Sequence, residues 1–234
     1  MENPWLKLNI EGGCYVLQAD KDIINVINEK RSDEYKIRYN NLPTPFSGDF
    51  KNAKILLLQL NPGSEILAGL EPIEDHEFLI YKDLKKTLIK NLKHEFMEYP
   101  FFWLNPEFMS SSGFRYWSRI FSKVIKRRDD YKKISNRICC VQYFPYHSKS
   151  YKAIDKTILD SQNYGFHLVK EFIKKPDTLV VIMRPKKEWF EAVPELKMAN
   201  IIRLKSDRNP ILTKNNFSSA EDFDTFLNYI GVEN

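Results

Sequence analysis

The stretch Lys54-Ile55-Leu56-Leu57-Leu58-Gln59-Leu60-Asn61-Pro62-Gly63 decides the fold class. Its apolar run, 55–60, is short and continuous rather than alternating, the pattern of a strand buried on both faces. A polar residue and a proline follow at once, and proline ends a ladder because it has no N–H to donate. Similar phrases recur. Run 138–144, which contains Gln142, is followed by Pro145-Tyr146-His147; run 179–183 by Arg184-Pro185; and run 201–204, a few residues on, by Asn209-Pro210.

Between the runs the apolar spacing turns helical. Leu79, Leu84, Leu88, Leu92 and Phe96 recur every four or five residues, and Trp117, Phe121, Val124 and Ile125 continue the pattern in a second helix. Segment 158–174 carries Phe166, Val169, Phe172 and Ile173 on one stripe. Ser218-x-x-Glu221 reads as a capping box ahead of Phe223, Phe226 and Ile230. Strands alternating with helices give an α/β fold, expected as three α/β/α layers around a four-stranded, mostly parallel sheet. Sites in such folds lie beyond the C-terminal ends of the strands. One polar-proline turn is a mere strand stop; four together favour a cleft holding Asn61, Gln142, Arg184 and Asn209.

The chain has 234 residues, a net charge of +5, 43% hydrophobic and 14% aromatic residues, the composition of a globular protein rather than a disordered one. No repeat or linker interrupts it, so 1–234 reads as a single domain with an N-terminal extension of about 1–42 and an insertion of about 64–106. No apolar run reaches the ~18–20 residues of a membrane span. The start has no charged region followed by an apolar one, so secretion is not expected. Three cysteines, two of them adjacent at Cys139 and Cys140, give neither a disulfide framework nor metal-ligand spacing. The expectation is a cytoplasmic monomer without metal or other cofactor.

The apolar strand ending in Asn61-Pro62-Gly63 resembles the first motif of the uracil-DNA glycosylase superfamily, nearest its mismatch-specific and thymine-DNA glycosylase branch. Gly113-Phe114-Arg115-Tyr116-Trp117 resembles the aromatic helix start of that branch, and Asn209-Pro210-Ile211-Leu212-Thr213 its second motif. Ile211 stands where serine is common, and Asn61 where the uracil-specific branch has aspartate. The family's sheet order, 2-1-3-4 in the numbering of the four runs, is implied for this chain.

The resemblance implies a monofunctional glycosylase that flips a uracil or 5-modified pyrimidine out of DNA and hydrolyses its N-glycosidic bond with water. Asn61 would orient the water, since its neutral amide cannot act as a base; otherwise it merely closes a turn. Asn209 would bond the base or sugar. Gly63 would leave the pyrimidine C5 side open or, more plainly, supply a positive φ. Gln142 would read the base edge, and His147 would donate to a carbonyl or phosphate unless it is a solvated loop residue. Phe114 is preferred over Tyr116 as the stacking face, although aromatics at this spacing are usually core. Arg184, Lys186, Lys187 and Arg208 would hold DNA phosphates, with Leu212 entering the base stack. The basic runs at 85–86 and 123–133 read as solvated helix faces, with DNA contact by them as the minority reading. The alternative is a non-catalytic nucleic-acid-binding protein of the same fold. A free-nucleotide or nucleoside hydrolase is a third reading, weakened by the absence of GxGxxG and Walker-type loops.

Overall fold

Ile55–Gln59 is buried along its whole length and forms the middle strand of a five-stranded sheet. The computed structural model describes residues 1–63, 75–152, 158–206 and 208–232, side chains of 75–80 excepted. Its strands are β1 (Phe46–Gly48), β2 (Ile55–Gln59), β3 (Ile138–Gln142), β4 (Leu179–Ile182) and β5 (Ile201–Arg203), in the order β1-β3-β2-β4-β5. β3, β2, β4 and β5 pair in parallel, and β1 runs antiparallel along the outer side of β3. The register sets Ile55 beside both Ile138 and Leu179, and Gln59 beside Gln142. The β2 and β3 exits are therefore level.

The sheet thus has five strands rather than the expected four. β1 is only three residues long, too short to carry a period, and it exists because it pairs with β3. Gly48 makes that pairing possible. Its φ is +102°, and a Cβ there would sit 2.6 Å from Cys139 Cα, closer than any side chain tolerates.

Seven α-helices surround the sheet among the described residues: α1 (Gln18–Glu29), α2 (Asp75–Leu92), α3 (Ser112–Ile120), α4 (Arg128–Arg137), α5 (Asp160–Ile173), α6 (Lys186–Ala192) and α7 (Ala220–Ile230). α1 packs on α5, α5 on β3, and α4 on α7. α7 opens one residue later than its sequence suggests: Ser219, not Ser218, caps it, with Asp222 rather than Glu221 closing the box. Ser218 instead donates to the Arg203 carbonyl. α3 stops at Ile120, so Phe121 and Val124 are buried from the turns after it. Phe96 falls beyond α2 and is 92% exposed.

The described part of segment 64–106 contributes to the core. Leu84, Leu88 and Leu92 of α2, and Phe101, Phe102 and Leu104 beyond it, are all buried; such side chains are worth ~1.5–3 kcal/mol each when fully buried. Its opening part, 64–74, lies outside the described residues. No helix among the described residues is long and apolar enough to cross a membrane.

Candidate functional site

Beyond the C-terminal ends of β2, β3 and β4 lies a cavity of about 530 Å³, within the usual range for a small-molecule pocket. Its floor is made by the strand exits: Gln59, Leu60, Asn61, Pro62 and Gly63 from β2, Gln142 from β3, and Arg184 from β4. Backbone pairing runs past the strands and fixes these turns, with the Tyr143 N–H donating to Gln59 O at 2.9 Å and the Phe144 N–H to Leu60 O at 2.8 Å. The Trp189 indole N–H reaches Gln59 O at 3.1 Å and so ties the β2 exit to α6.

One side of the cavity joins two loops. Gly63 bridges Ser148 in parallel and Ile37 bridges Ser148 from the other side. Asn61 Nδ2 donates to Ser148 Oγ at 3.1 Å and to Pro62 O at 3.0 Å. That leaves Asn61 Oδ1 as the group with capacity to hold a water or ligand donor. His147 contacts the Gly63 carbonyl through Nδ1 and Thr44 Oγ1 through Nε2 at 3.2 Å. The ring is only 4% exposed, and burial pushes its pKa down to about 4, opposed by carbonyl contacts. It is therefore neutral near pH 7 with both nitrogens occupied. His147 is neither a solvated residue nor a free donor; it positions the Gly63 turn.

The facing wall is aromatic. Ser112, Gly113, Tyr116 and Trp117 of α3 line it together with Trp103. Gly113 has a steric reason: a Cβ there would lie 2.2 Å from the Trp103 ring, so only glycine lets that indole lie against the helix. Gln59 is 2% exposed and donates from Nε2 to the Tyr116 hydroxyl at 3.3 Å and to Met183 Sδ at 3.2 Å. Burial raises the Tyr116 pKa, against the lowering effect of Arg184 and the Gln59 bond. Tyr151, also lining the cavity, is pushed up to about 12 by burial.

Among the described residues, three buried polar atoms on this lining have no partner: Gln142 Oε1, Arg184 Nε and Ser112 Oγ. Leaving such groups unsatisfied costs ~1–3 kcal/mol each, a cost that a polar ligand would offset. Gly63 adds open space. Its φ is not positive, so the turn itself does not demand glycine, and a Cβ there would meet nothing among the described residues within 4 Å.

Asn61, Gly63, Gln142, His147 and Arg184 thus come together, and the other expected site residues do not. Asn209 and Arg208 are exposed on the loop after β5, away from the lining. That loop folds back because Asn216 donates to the Asn209 and Ile211 carbonyls and accepts from the Ser206 N–H. Leu212 is fully buried, its N–H bonded to Ile120 O at 3.0 Å, so it is a core residue and not an exposed wedge. Phe114 points away from the cavity and stacks on Tyr131 of α4, centroids 5.4 Å apart at 13°; Tyr116 takes its expected place. Lys186 Nζ donates to Leu204 O, and exposed Lys187 lies 3.7 Å from Glu191. Neither lines the cavity. Tyr116, ranked behind Phe114 from the sequence, holds the wall, while the places of Gln59 and Trp103 are not expected from the sequence; a glutamine closing an otherwise apolar strand is the available signal for the first.

Compared with protein-family models, curated proteins and solved structures, the chain gives no match. The site therefore speaks through its own chemistry. Among the described residues no Asp or Glu lines the cavity, and no group of three or more His, Cys, Asp or Glu side chains is placed to hold a metal.

Proposed function

We propose that the chain is a monofunctional DNA glycosylase of the uracil-DNA glycosylase fold, hydrolysing the N-glycosidic bond of a flipped-out uracil or 5-modified pyrimidine. The carrying observation is the convergence of Asn61, Gln142 and Arg184, from three neighbouring parallel strands, on a cavity walled by Tyr116, Trp103 and Trp117. A flat base stacks on the aromatic wall, an interaction worth ~1–3 kcal/mol. Gln142 Oε1 accepts an N–H from the base edge, and Asn61 Oδ1 orients the water that meets the sugar carbon as the C–N bond breaks. The leaving base takes the bonding electron pair, and the water loses a proton after attack. Orientation in place of deprotonation suits a dissociative, oxocarbenium-like transition state.

The test is base release from oligonucleotides carrying uracil, mismatched thymine or 5-substituted cytosines, beside Asn61→Ala. Release by the wild type, and loss of at least a hundredfold in Asn61→Ala with DNA affinity within about twofold, is expected. Undiminished turnover by Asn61→Ala would reduce Asn61 to a turn residue. The absence of Asp and Glu from the lining among the described residues favours one second reading, a binding protein of this fold that holds a base without cleaving it; DNA binding with no release from any substrate would select it.

A further inference from the structure

We infer that a cationic ribbon running from α3 to the start of α4 is the track for a nucleic-acid strand whose base occupies the cavity. The inference rests on the reading of that cavity as a base site. Residues 115–128 contain Arg115, Arg119, Lys123, Lys126, Arg127 and Arg128 and not one Asp or Glu. All six are exposed. None forms an ion pair among the described residues. Two acids follow the ribbon in α4. Asp129 is exposed without pairing to any of the six. Asp130 is 3% exposed and spends its carboxylate on the backbone N–H groups of Lys126 and Arg127, both at 2.8 Å.

Two features separate this ribbon from an ordinary solvated face. The first is its attachment to the site. α3 presents Ser112, Gly113, Tyr116 and Trp117 to the cavity and Arg115 and Arg119 to solvent, and the Arg119 guanidinium lies 5.8 Å from the Tyr116 ring centroid. One helix thus carries the stacking wall and the first two cations. Those two are four residues apart, ~6 Å along the axis, close to two phosphate-to-phosphate steps of ~3.4 Å each along a stacked strand. The second is that the far end gathers three exposed cations where Asp130 is buried on the backbone and only Asp129 is exposed to offset them. Lys126, Arg127 and Arg128 sit at the start of α4, where the helix dipole is positive and cations are disfavoured. A polyanion relieves that repulsion. A nucleic-acid strand is the polyanion that also supplies a flat base to the adjoining cavity.

The test compares the full chain with Arg115→Gln/Arg119→Gln and with the charge-matched control Lys21→Gln/Lys30→Gln at α1. Affinity for a labelled DNA strand, single and duplex, is measured between 50 and 200 mM salt. Removing one phosphate-binding cation lowers the log–log salt slope by ~0.7 on single strands and ~0.9 on duplex. The α3 double variant should therefore drop by roughly 1.4 to 1.8 in slope and at least tenfold in affinity at the lower salt, and the control should match the wild type. An unchanged slope in the α3 variant overturns the ribbon, and base release by that same variant would leave the glycosylase reading standing. A slope that falls as expected in a protein releasing no base would keep the ribbon and remove the catalytic reading. Binding to anionic phospholipid vesicles but not to DNA would also overturn it.

Discussion

Leu212→Ala separates a core leucine from one that enters a base stack. Its side chain is fully buried and its N–H is bonded to Ile120 O, so truncation empties space where the post-β5 loop meets the end of α3. Leu→Ala at such sites costs ~2–5 kcal/mol. Taking ~3 kcal/mol, and ~2–4 °C per kcal/mol for a chain of this size, the Tm falls by roughly 6–12 °C. Thermal unfolding followed by far-UV circular dichroism gives the shift, and DNA affinity of the folded variant at 15 °C gives the other half of the comparison. Affinity per folded molecule should stay within about threefold of wild type. A variant that melts within about 1 °C of wild type yet loses DNA binding would refute the burial argument and make Leu212 a wedge.

Gly113→Ala should cost ~1–3 kcal/mol by overpacking against Trp103, read as a lower urea midpoint; an unchanged midpoint would mean that Trp103 moves aside freely. Gly63→Tyr meets open space among the described residues, so it should fold normally while losing release of a 5-substituted pyrimidine far more than of uracil; equal losses on both would discount the C5 role. His147 is held neutral in the fold with its pKa lowered to about 4, against ~6.5 in the unfolded chain. The unfolded state therefore binds the extra proton first, and the stability due to this group, complete above pH 6.5, is lost as pH falls toward 4, roughly 3 kcal/mol in all. Its imidazole NMR signals should stay in the neutral form at pH 5.5, and protonation there would contradict the buried placement.

The four parallel strands are legible because a strand buried on both faces must be continuously apolar, as Ile55, Leu56, Leu57 and Leu58 are, and the prolines beyond mark where pairing stops. Three of the four polar exits meet in one cavity for the same reason. Asn209 does not join them because Asn216 and the docking of Leu212 on Ile120 turn that loop inward, interactions that no local pattern encodes. The choice of Tyr116 over Phe114 has a similar cause. Helical period separates the two faces of α3, but only the arrival of Tyr131 from α4 decides which aromatic is taken into the core. β1 lies below the length at which alternation can be read, and the burial of His147 depends on Thr44 and Gly63, both distant in sequence.

Trp103 and Trp117 are two of the four tryptophans in the chain, and both line the cavity. Half of the tryptophans therefore sit where a ligand would arrive, while Trp5 and Trp189 are packed in the interior off that lining. A base stacking on that wall should change the emission of the cavity pair and leave the interior pair as an internal reference. The native protein thus carries its own optical gauge of occupancy, usable with unlabelled DNA and independent of whether any bond is broken.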